Sequence, residues 1–200
     1  MLDFITGPLF VISLAVFFVG LLLRAIFYVR GLDAKLERVA YTYHADRSIP
    51  GALTSIFKWL IPGGTCGWRA QPVATLLFFL LHCGAVLIPL FLLGHTVLLE
   101  YYTGISLPAL PGALADILSI AAVVGLVLLA LRRLAVPALR QLNSGQDWFI
   151  LLLTFLPFAT GLMARLNTAS YESWMIAHVL CGELFLILAP FTKLSHIVLF

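Results

Sequence analysis

The stretch VATLLFFLLHCGAVLIPLFLLGHTVLL, residues 73–99, contains no Asp, Glu, Lys or Arg. A helix needs about 20 predominantly apolar residues to cross a bilayer, whereas the buried helices and strands of soluble proteins are shorter. The stretch therefore predicts a membrane-spanning helix. Pro89 lies inside it and cannot donate a backbone hydrogen bond, so we expect a kink in that helix.

The composition of the whole chain agrees with this prediction. Of its 200 residues, 62% are hydrophobic and 10% are charged, whereas soluble domains are about half apolar and a quarter charged. We expect an all-α integral membrane protein with a single domain over residues 1–200 and a polar loop over 30–71. The apolar runs predict a bundle of five transmembrane helices at about 4–29, 73–99, 113–131, 148–164 and 174–199.

The basic residues indicate how these helices are oriented. The chain has 12 Lys and Arg residues, and all but Arg165 lie in or next to the segments 30–71 and 132–147 or near the C-terminus. Because basic residues concentrate on the cytoplasmic side of membrane proteins, we expect the N-terminus outside. The loop 30–71 and the C-terminus are then cytoplasmic. Clustering beside apolar runs indicates membrane topology rather than binding of nucleic acid.

Histidine is the residue type that points to a function. The chain has five histidines, and we expect His44 to be solvated in the loop. The other four lie in the second and fifth spans: His82, His95, His178 and His196. An imidazole inside a membrane is costly unless it has a partner, so each is a candidate for a functional site. One alone could form a hydrogen bond between helices, but four on two helices are harder to explain by packing.

The spacing of these histidines predicts two pairs. His178 and His196 are 18 residues apart, or five helical turns, which places them on one face about 27 Å apart. His82 and His95 are 13 residues apart, or about 20 Å. Because the two spans run in opposite directions, His95 is expected to face His178 near the outer surface. His82 is then expected to face His196 near the inner surface.

Haem is the metal group that two ligands per site can hold. Zinc needs three or four clustered ligands, whereas haem brings four equatorial nitrogens and needs only two axial ligands from the protein. Gly84, Gly94 and Gly182 lie near the histidines and suit a flat macrocycle, although membrane helices also use glycine for packing. The two spacings differ by about 7 Å along the helix axis, so the inner pair fits two regular helices less well than the outer pair does. A single haem at the outer pair therefore stays an alternative.

Three segments resemble a known family. They are LHCGAVLIPLFLLGH (81–95), QDWFILLLTFLPFATG (146–161) and HVLCGELFLILAPFTKLSH (178–196), of which the ending PFTKLSH is the most specific. With them, residues from roughly 70 to 200 resemble the gamma subunit of respiratory nitrate reductase and its relatives. These relatives are the membrane cytochromes b of sulfate reducers and of heterodisulfide reductase. The longer loop 30–71 and the spacing in the second span favour that branch.

The resemblance implies a function and a set of partners. It implies that the four span histidines are axial ligands of two b haems in a five-helix subunit with its N-terminus outside. Such a subunit transfers electrons between membrane quinone, such as menaquinone, and a cytoplasmic iron–sulfur subunit, sometimes with a periplasmic multihaem cytochrome c. The outer quinol site of the nitrate reductase subunit includes a lysine. This chain has no outer lysine, so that site cannot be transferred to it.

Four charged residues are further candidates for the cofactor sites. Glu183 lies in the fifth span, where it could bind a quinone, relay a proton or pair with another helix. Arg165 lies at the outer ends of the spans with Glu100, Tyr101 and Trp174, and it could neutralise a haem propionate or anchor the helix. Lys193 and Arg24 could serve the inner haem in the same way, or extend to the interface as topology anchors.

The sequence contains no nucleophile or acid–base dyad, so the redox chemistry belongs to the cofactors. We therefore expect an electron-transfer, quinone-reactive subunit of an oxidoreductase complex in a bacterial or archaeal inner membrane. A small transporter with histidines in a proton or metal path is an alternative, and paired discontinuous helices would favour it. A cofactor-free membrane anchor is another, and it leaves four intramembrane histidines unexplained.

Overall fold

The computed structural model describes residues 4–31, 45–166 and 169–198, with the side chains of 45–49 excepted. The charged segment 33–38 of the expected loop and His44 lie outside these residues. The described chain is helical, and its α-helices are α1 (Phe10–Gly31), α2 (Ala45–Leu60), α3 (Cys66–Ala70), α4 (Pro72–Phe91), α5 (Leu93–Thr103), α6 (Gly112–Ala135), α7 (Pro137–Leu142), α8 (Gly145–Leu166) and α9 (Tyr171–Leu188).

Five helical segments are long and apolar enough to cross a membrane: Ile5–Gly31, Pro72–Phe91, Gly112–Ala135, Gly145–Leu166 and Tyr171–Phe191. The first begins with a π-helical turn, Ile5–Leu9, and continues as α1. Large apolar side chains such as Phe18 and Leu22 are exposed on the bundle surface, as expected for helices that face lipid. The prediction of an all-helical fold with five helices able to cross a membrane is confirmed.

Small residues allow the helices to pack closely. The helices contact one another in the order α4, α6, α8, α9, α1. A Cβ atom on Gly84 would come within 2.7 Å of the Ala122 Cβ, so this glycine lets α4 approach α6. A Cβ atom on Gly20 would come within 2.6 Å of the Pro190 Cβ, so α1 packs directly on the end of the fifth span. Both glycines are therefore required for backbone approach.

The second span is broken, not kinked. Helix α4 ends at Phe91, Leu92 is extended (φ −68°, ψ 133°), and α5 begins at Leu93. Pro89 lies in the last turn of α4, where its ring and missing N–H weaken the backbone hydrogen bonds of a regular helix. The expectation of one kinked helix through residues 73–99 is corrected: His82 lies on α4 and His95 on α5.

The fifth span also ends before its second histidine. Helix α9 ends at Leu188, a 3₁₀ turn follows at Ala189–Phe191, and Thr192 is extended (ψ −178°). His196 lies on the next 3₁₀ turn, Lys193–Ile197, which the Thr192 side chain caps. The expectation that five regular helical turns join His178 to His196 is therefore wrong, because Pro190 and Thr192 end the helix between them.

Candidate functional site

His95 and His178 face each other, as their spacing predicts. Their ring centroids are 5.8 Å apart and the two ring planes differ by 8°. The Nδ1 atom of His178 lies 2.8 Å from the Pro157 carbonyl oxygen, and that of His95 lies 3.1 Å from the Ile88 carbonyl oxygen. Because a carbonyl can only accept, each Nδ1 carries the proton and donates it. Each Nε2 atom therefore keeps a lone pair for a metal.

Two backbone features place these rings. The break at Leu92 separates His95 from the face of α4, and the ring then reaches back to Ile88 in the last turn of that helix. Gly161 on α8 packs against the other ring, because a Cβ atom there would lie 3.0 Å from both Cε1 and Nδ1 of His178. Gly161 was not among the site residues predicted from the sequence. Its position four residues after Pro157 was the available signal, since residues four apart share a helix face.

His82 and His196 form the second pair. Their ring centroids are 6.3 Å apart, and the ring planes differ by 65°. His82 donates from Nδ1 to the Phe78 carbonyl oxygen at 2.8 Å and stacks on the Phe78 ring, with centroids 3.7 Å apart. His196 donates from Nδ1 to the Lys193 carbonyl oxygen at 2.9 Å. The difference of about 7 Å assumed regular helices, and it no longer applies because breaks at Leu92 and Thr192 interrupt both spans between their histidines.

The distances within both pairs fit one metal ion between two axial imidazoles. Imidazole nitrogens bind metals at about 2.0–2.1 Å and each ring centroid lies about 1 Å behind its nitrogen, so centroids on opposite sides of a metal are about 6 Å apart. Among the described residues, no group of three or more His, Cys, Asp or Glu side chains converges. Each pair therefore offers two nitrogens to a metal, and haem accepts two axial protein ligands.

The two pairs lie at opposite ends of the bundle, here called the His95 end and the His82 end after their histidines. At the His95 end, Arg165 forms an ion pair with Asp116 at 3.2 Å, and the two side chains are 65% and 40% exposed. This partner was not expected from the sequence. Tyr101 at the same end is exposed, and Trp174 is half-buried.

Lys193 and Arg24 lie at the His82 end, as expected, but both have protein partners. The Nζ atom of Lys193 lies 2.7 Å from an Asp147 carboxylate oxygen. The Arg24 guanidinium donates from Nε to the Pro190 carbonyl oxygen at 3.1 Å. Both contacts hold the end of the fifth span against the bundle.

Glu183 is buried in the bundle, whereas Gly94 is exposed and Gly182 is half-buried. Glu183 is only 3% exposed, and neither carboxylate oxygen has a hydrogen-bond partner among the described residues. A Cβ atom on Gly94 or Gly182 would meet nothing within 4 Å, so there is open space beside both backbones. Gly84 differs, because Ala122 of the neighbouring helix fills the space beside its backbone.

Comparison with known proteins agrees with this architecture. Residues 72–176 match the family model of the nitrate reductase gamma subunit, a family of haem b-binding membrane cytochromes that transfer electrons in complexes with catalytic and iron–sulfur subunits. The match includes His82 and His95 and ends just before His178.

A protein of Nitratidesulfovibrio vulgaris (strain Hildenborough) is 56% identical over 200 residues, which cover 100% of this chain and 88% of that protein. Its organism is consistent with the sulfate-reducer branch favoured by the sequence. The chain is a multi-pass membrane protein of the electron-transfer type. It belongs to the nitrate reductase gamma subunit family.

Proposed function

We propose that the chain is a dihaem cytochrome b subunit that transfers electrons between membrane quinone and a partner iron–sulfur subunit. One observation carries this proposal. Two histidine pairs at opposite ends of the bundle have centroid separations of 5.8 Å and 6.3 Å, and all four Nδ1 atoms donate to backbone carbonyls. A hydrogen bond from the far ring nitrogen to a carbonyl fixes the orientation of the imidazole and increases the basicity of the metal-binding nitrogen.

The residues of this chain would hold the two haems in the following way. His95 and His178 would hold one haem, and His82 and His196 would hold the other. Haem, when bound, supplies one-electron redox chemistry that no side chain of the protein provides. The open space beside Gly94 and Gly182 suits a flat macrocycle near the His95 end. The carbonyls of Pro157 and Ile88 keep both imidazoles there in the tautomer that binds iron.

The helix breaks at Leu92 and Thr192 are the feature that would favour a transporter instead. In such proteins, broken helices direct free carbonyls at a transported ion. Here the nearby carbonyls of Ile88 and Lys193 accept the Nδ1 protons of His95 and His196. The carbonyls near the breaks therefore orient the histidines, which supports the cytochrome function over the transporter function.

We propose that the His82 end is cytoplasmic, in a bacterial or archaeal inner membrane, with the N-terminus outside. Arg132 and Arg133 lie in the last turn of α6 at this end and Arg140 lies on α7, as basic residues do on the cytoplasmic side. A reporter fused after Phe200 or at residue 50–55 should indicate the cytoplasm, and one at 104–110 the outside. A cytoplasmic signal from 104–110 would reverse the orientation and the side on which a partner docks.

The basic His82 end then suits a soluble iron–sulfur subunit, because complementary charge guides such docking. The quinone is assigned to the His95 end, where Tyr101, Trp174 and Arg165 lie near the ends of apolar helices. The buried Glu183 lies five residues, or one to two turns, beyond His178 on α9. A periplasmic multihaem cytochrome c as electron donor would instead place the quinone near the His82 end.

Reduction by a quinol tests this function. The purified protein should show b-type absorption bands that a menaquinol analogue reduces, and the change Glu183→Gln should slow this reduction while leaving the bands in place. The change Glu172→Gln, at the exposed start of α9, is the matched control. Protein without b-type bands would refute the proposal. Unchanged kinetics in the Glu183 variant would remove that residue from the quinone site.

A further inference from the structure

The ion pair between Asp147 and Lys193 connects two segments of the His82 end that lie 46 residues apart in the chain. The Nζ and Oδ1 atoms are 2.7 Å apart, and the side chains of Lys193 and Asp147 are 57% and 18% exposed, respectively. Lys193 is the first residue of the 3₁₀ turn Lys193–Ile197. Its own carbonyl oxygen accepts the Nδ1 proton of His196 at 2.9 Å. The same residue therefore contacts Asp147 through its side chain and His196 through its backbone.

Asp147 is held from three directions and can act as a fixed anchor. Its Oδ2 atom accepts hydrogen bonds from the backbone N and the Oγ of Ser144, at 2.9 Å and 2.7 Å, which joins the residue before α8 to the first turn of that helix. The Arg133 guanidinium donates to its backbone carbonyl at 3.0 Å. The free Oδ1 atom is the one that binds Lys193.

The turn that carries His196 is short and depends on such an anchor. It begins after the extended residue Thr192, whose Oγ1 accepts from the Leu194 N at 3.3 Å. Leu194 packs with Leu153 and Ala189 in a small buried cluster. These contacts fix the base of the turn, whereas the Lys193 carbonyl, which orients the imidazole, is fixed in addition by the ion pair.

We propose that Asp147, acting through Lys193, is a positioning residue that sets the orientation of the His196 imidazole as an axial ligand. The proposal rests on the dihaem function proposed above. It assigns to Lys193 a role different from neutralising a propionate. It also makes the first turn of α8, at the end where a partner subunit would dock, part of the support of one haem ligand.

The other histidine pair offers an internal comparison. His178 is oriented by the Pro157 carbonyl inside α8 and by contact with Gly161, and no ion pair among the described residues takes part. The pair Arg165–Asp116 has similar chemistry to Lys193–Asp147, but neither residue hydrogen-bonds a histidine in the described part of the chain. Removing it should affect neither haem.

The angle between the ring planes gives a spectroscopic readout. In low-spin ferric haem with two imidazole ligands, near-perpendicular ring planes give a larger maximum g value in electron paramagnetic resonance (EPR) than near-parallel planes do. The planes differ by 65° in the His82–His196 pair and by 8° in the His95–His178 pair. The oxidised protein should therefore give two distinct signals, of which the larger maximum g value belongs to His82 and His196.

The change Lys193→Met tests the proposal, because it removes the ion pair and leaves the hydrogen bonds between Ser144 and Asp147 intact. We expect two haems, a shifted or broadened EPR signal at the larger g value, and an unchanged second signal. Transfer of that haem to apomyoglobin should be about 2- to 5-fold faster, the factor that a modest ion pair supplies. Lys193→Arg should restore the native signal and Asp147→Asn should reproduce the Met variant. Asp116→Asn, which breaks the ion pair with Arg165 at the other end, is the matched control.

Two results would overturn the inference. One is an unaltered EPR spectrum in both Lys193→Met and Asp147→Asn with both haems bound. The other is a change confined to the His95–His178 signal. Loss of only the His82–His196 haem in Lys193→Met would support it. Absence of haem from the unaltered protein would instead refute the proposed dihaem function, so the two failures are distinguishable.

Discussion

Replacing His178 with alanine should remove one of the two haems and leave the other with its native spectrum. The variant loses one of two axial nitrogens, and the open coordination position has no other described histidine within reach, because His196 is engaged with His82 at the other end. Haem per chain, measured by the pyridine haemochrome assay, should fall from two to one. The remaining EPR signal should be the one with the larger maximum g value.

The reciprocal variants make this result decisive. His95→Ala should lose the same haem as His178→Ala, whereas His82→Ala and His196→Ala should both lose the other one. If His95→Ala and His178→Ala removed different haems, the pairing of the four histidines would be wrong, whatever the total number of haems.

Replacing Gly161 with valine should have nearly as large an effect on the haem at the His95 end. A Cβ atom at this position would lie 3.0 Å from two atoms of the His178 ring, and valine adds two further methyl groups. The ring would have to leave the Pro157 carbonyl, and overpacking of this kind costs about 1–3 kcal/mol. We expect loss or at least tenfold weaker retention of that haem, a factor equivalent to about 1.4 kcal/mol.

Gly145→Val is the matched control for that experiment, because it lies on the same helix and a Cβ atom there would meet nothing within 4 Å. It should retain both haems. Equal haem loss in the two variants would show that valine harms α8 generally and that Gly161 has no particular role beside His178.

The five helices and the pairing of the histidines could be predicted because both follow from regular features of the sequence. Long apolar runs mark spans, and two antiparallel spans bring the outer histidines together and the inner ones together. The breaks at Leu92 and Thr192 could not be predicted in the same way. Proline shows that a backbone hydrogen bond is lost, but where the helix resumes depends on tertiary contacts such as that between Leu110 N and the Phe91 carbonyl.

The surroundings of the ligands were the least predictable part. Gly161 and Pro157 contact His178 from a different helix, so no pattern within the fifth span reveals them. From its position alone, Lys193 was a candidate to neutralise a propionate or to anchor the helix at the interface, and its partner Asp147 lies 46 residues away. Glu183 was correctly placed in a helix interior, but its lack of a polar partner among the described residues appears only when the neighbouring helices are present.

The two sites also differ in how their ligands are supported, which bears on their stability. At the His95 end, the His178 ring bonds a carbonyl in the middle of a neighbouring transmembrane helix, and packing holds that carbonyl in place. At the His82 end, both Nδ1 protons bond carbonyls three or four residues away in the same segment. Changes near the C-terminal turn should therefore affect the second site more than the first.

The amount of haem b per chain in the purified, unaltered protein is the measurement that tests the central claim most directly. The pyridine haemochrome assay, normalised to protein by amino-acid analysis, should give two haems b per chain, because each of the two histidine pairs offers both axial nitrogens. A value of one would contradict the dihaem assignment and leave a single-haem subunit. A value of zero would contradict the cytochrome function itself.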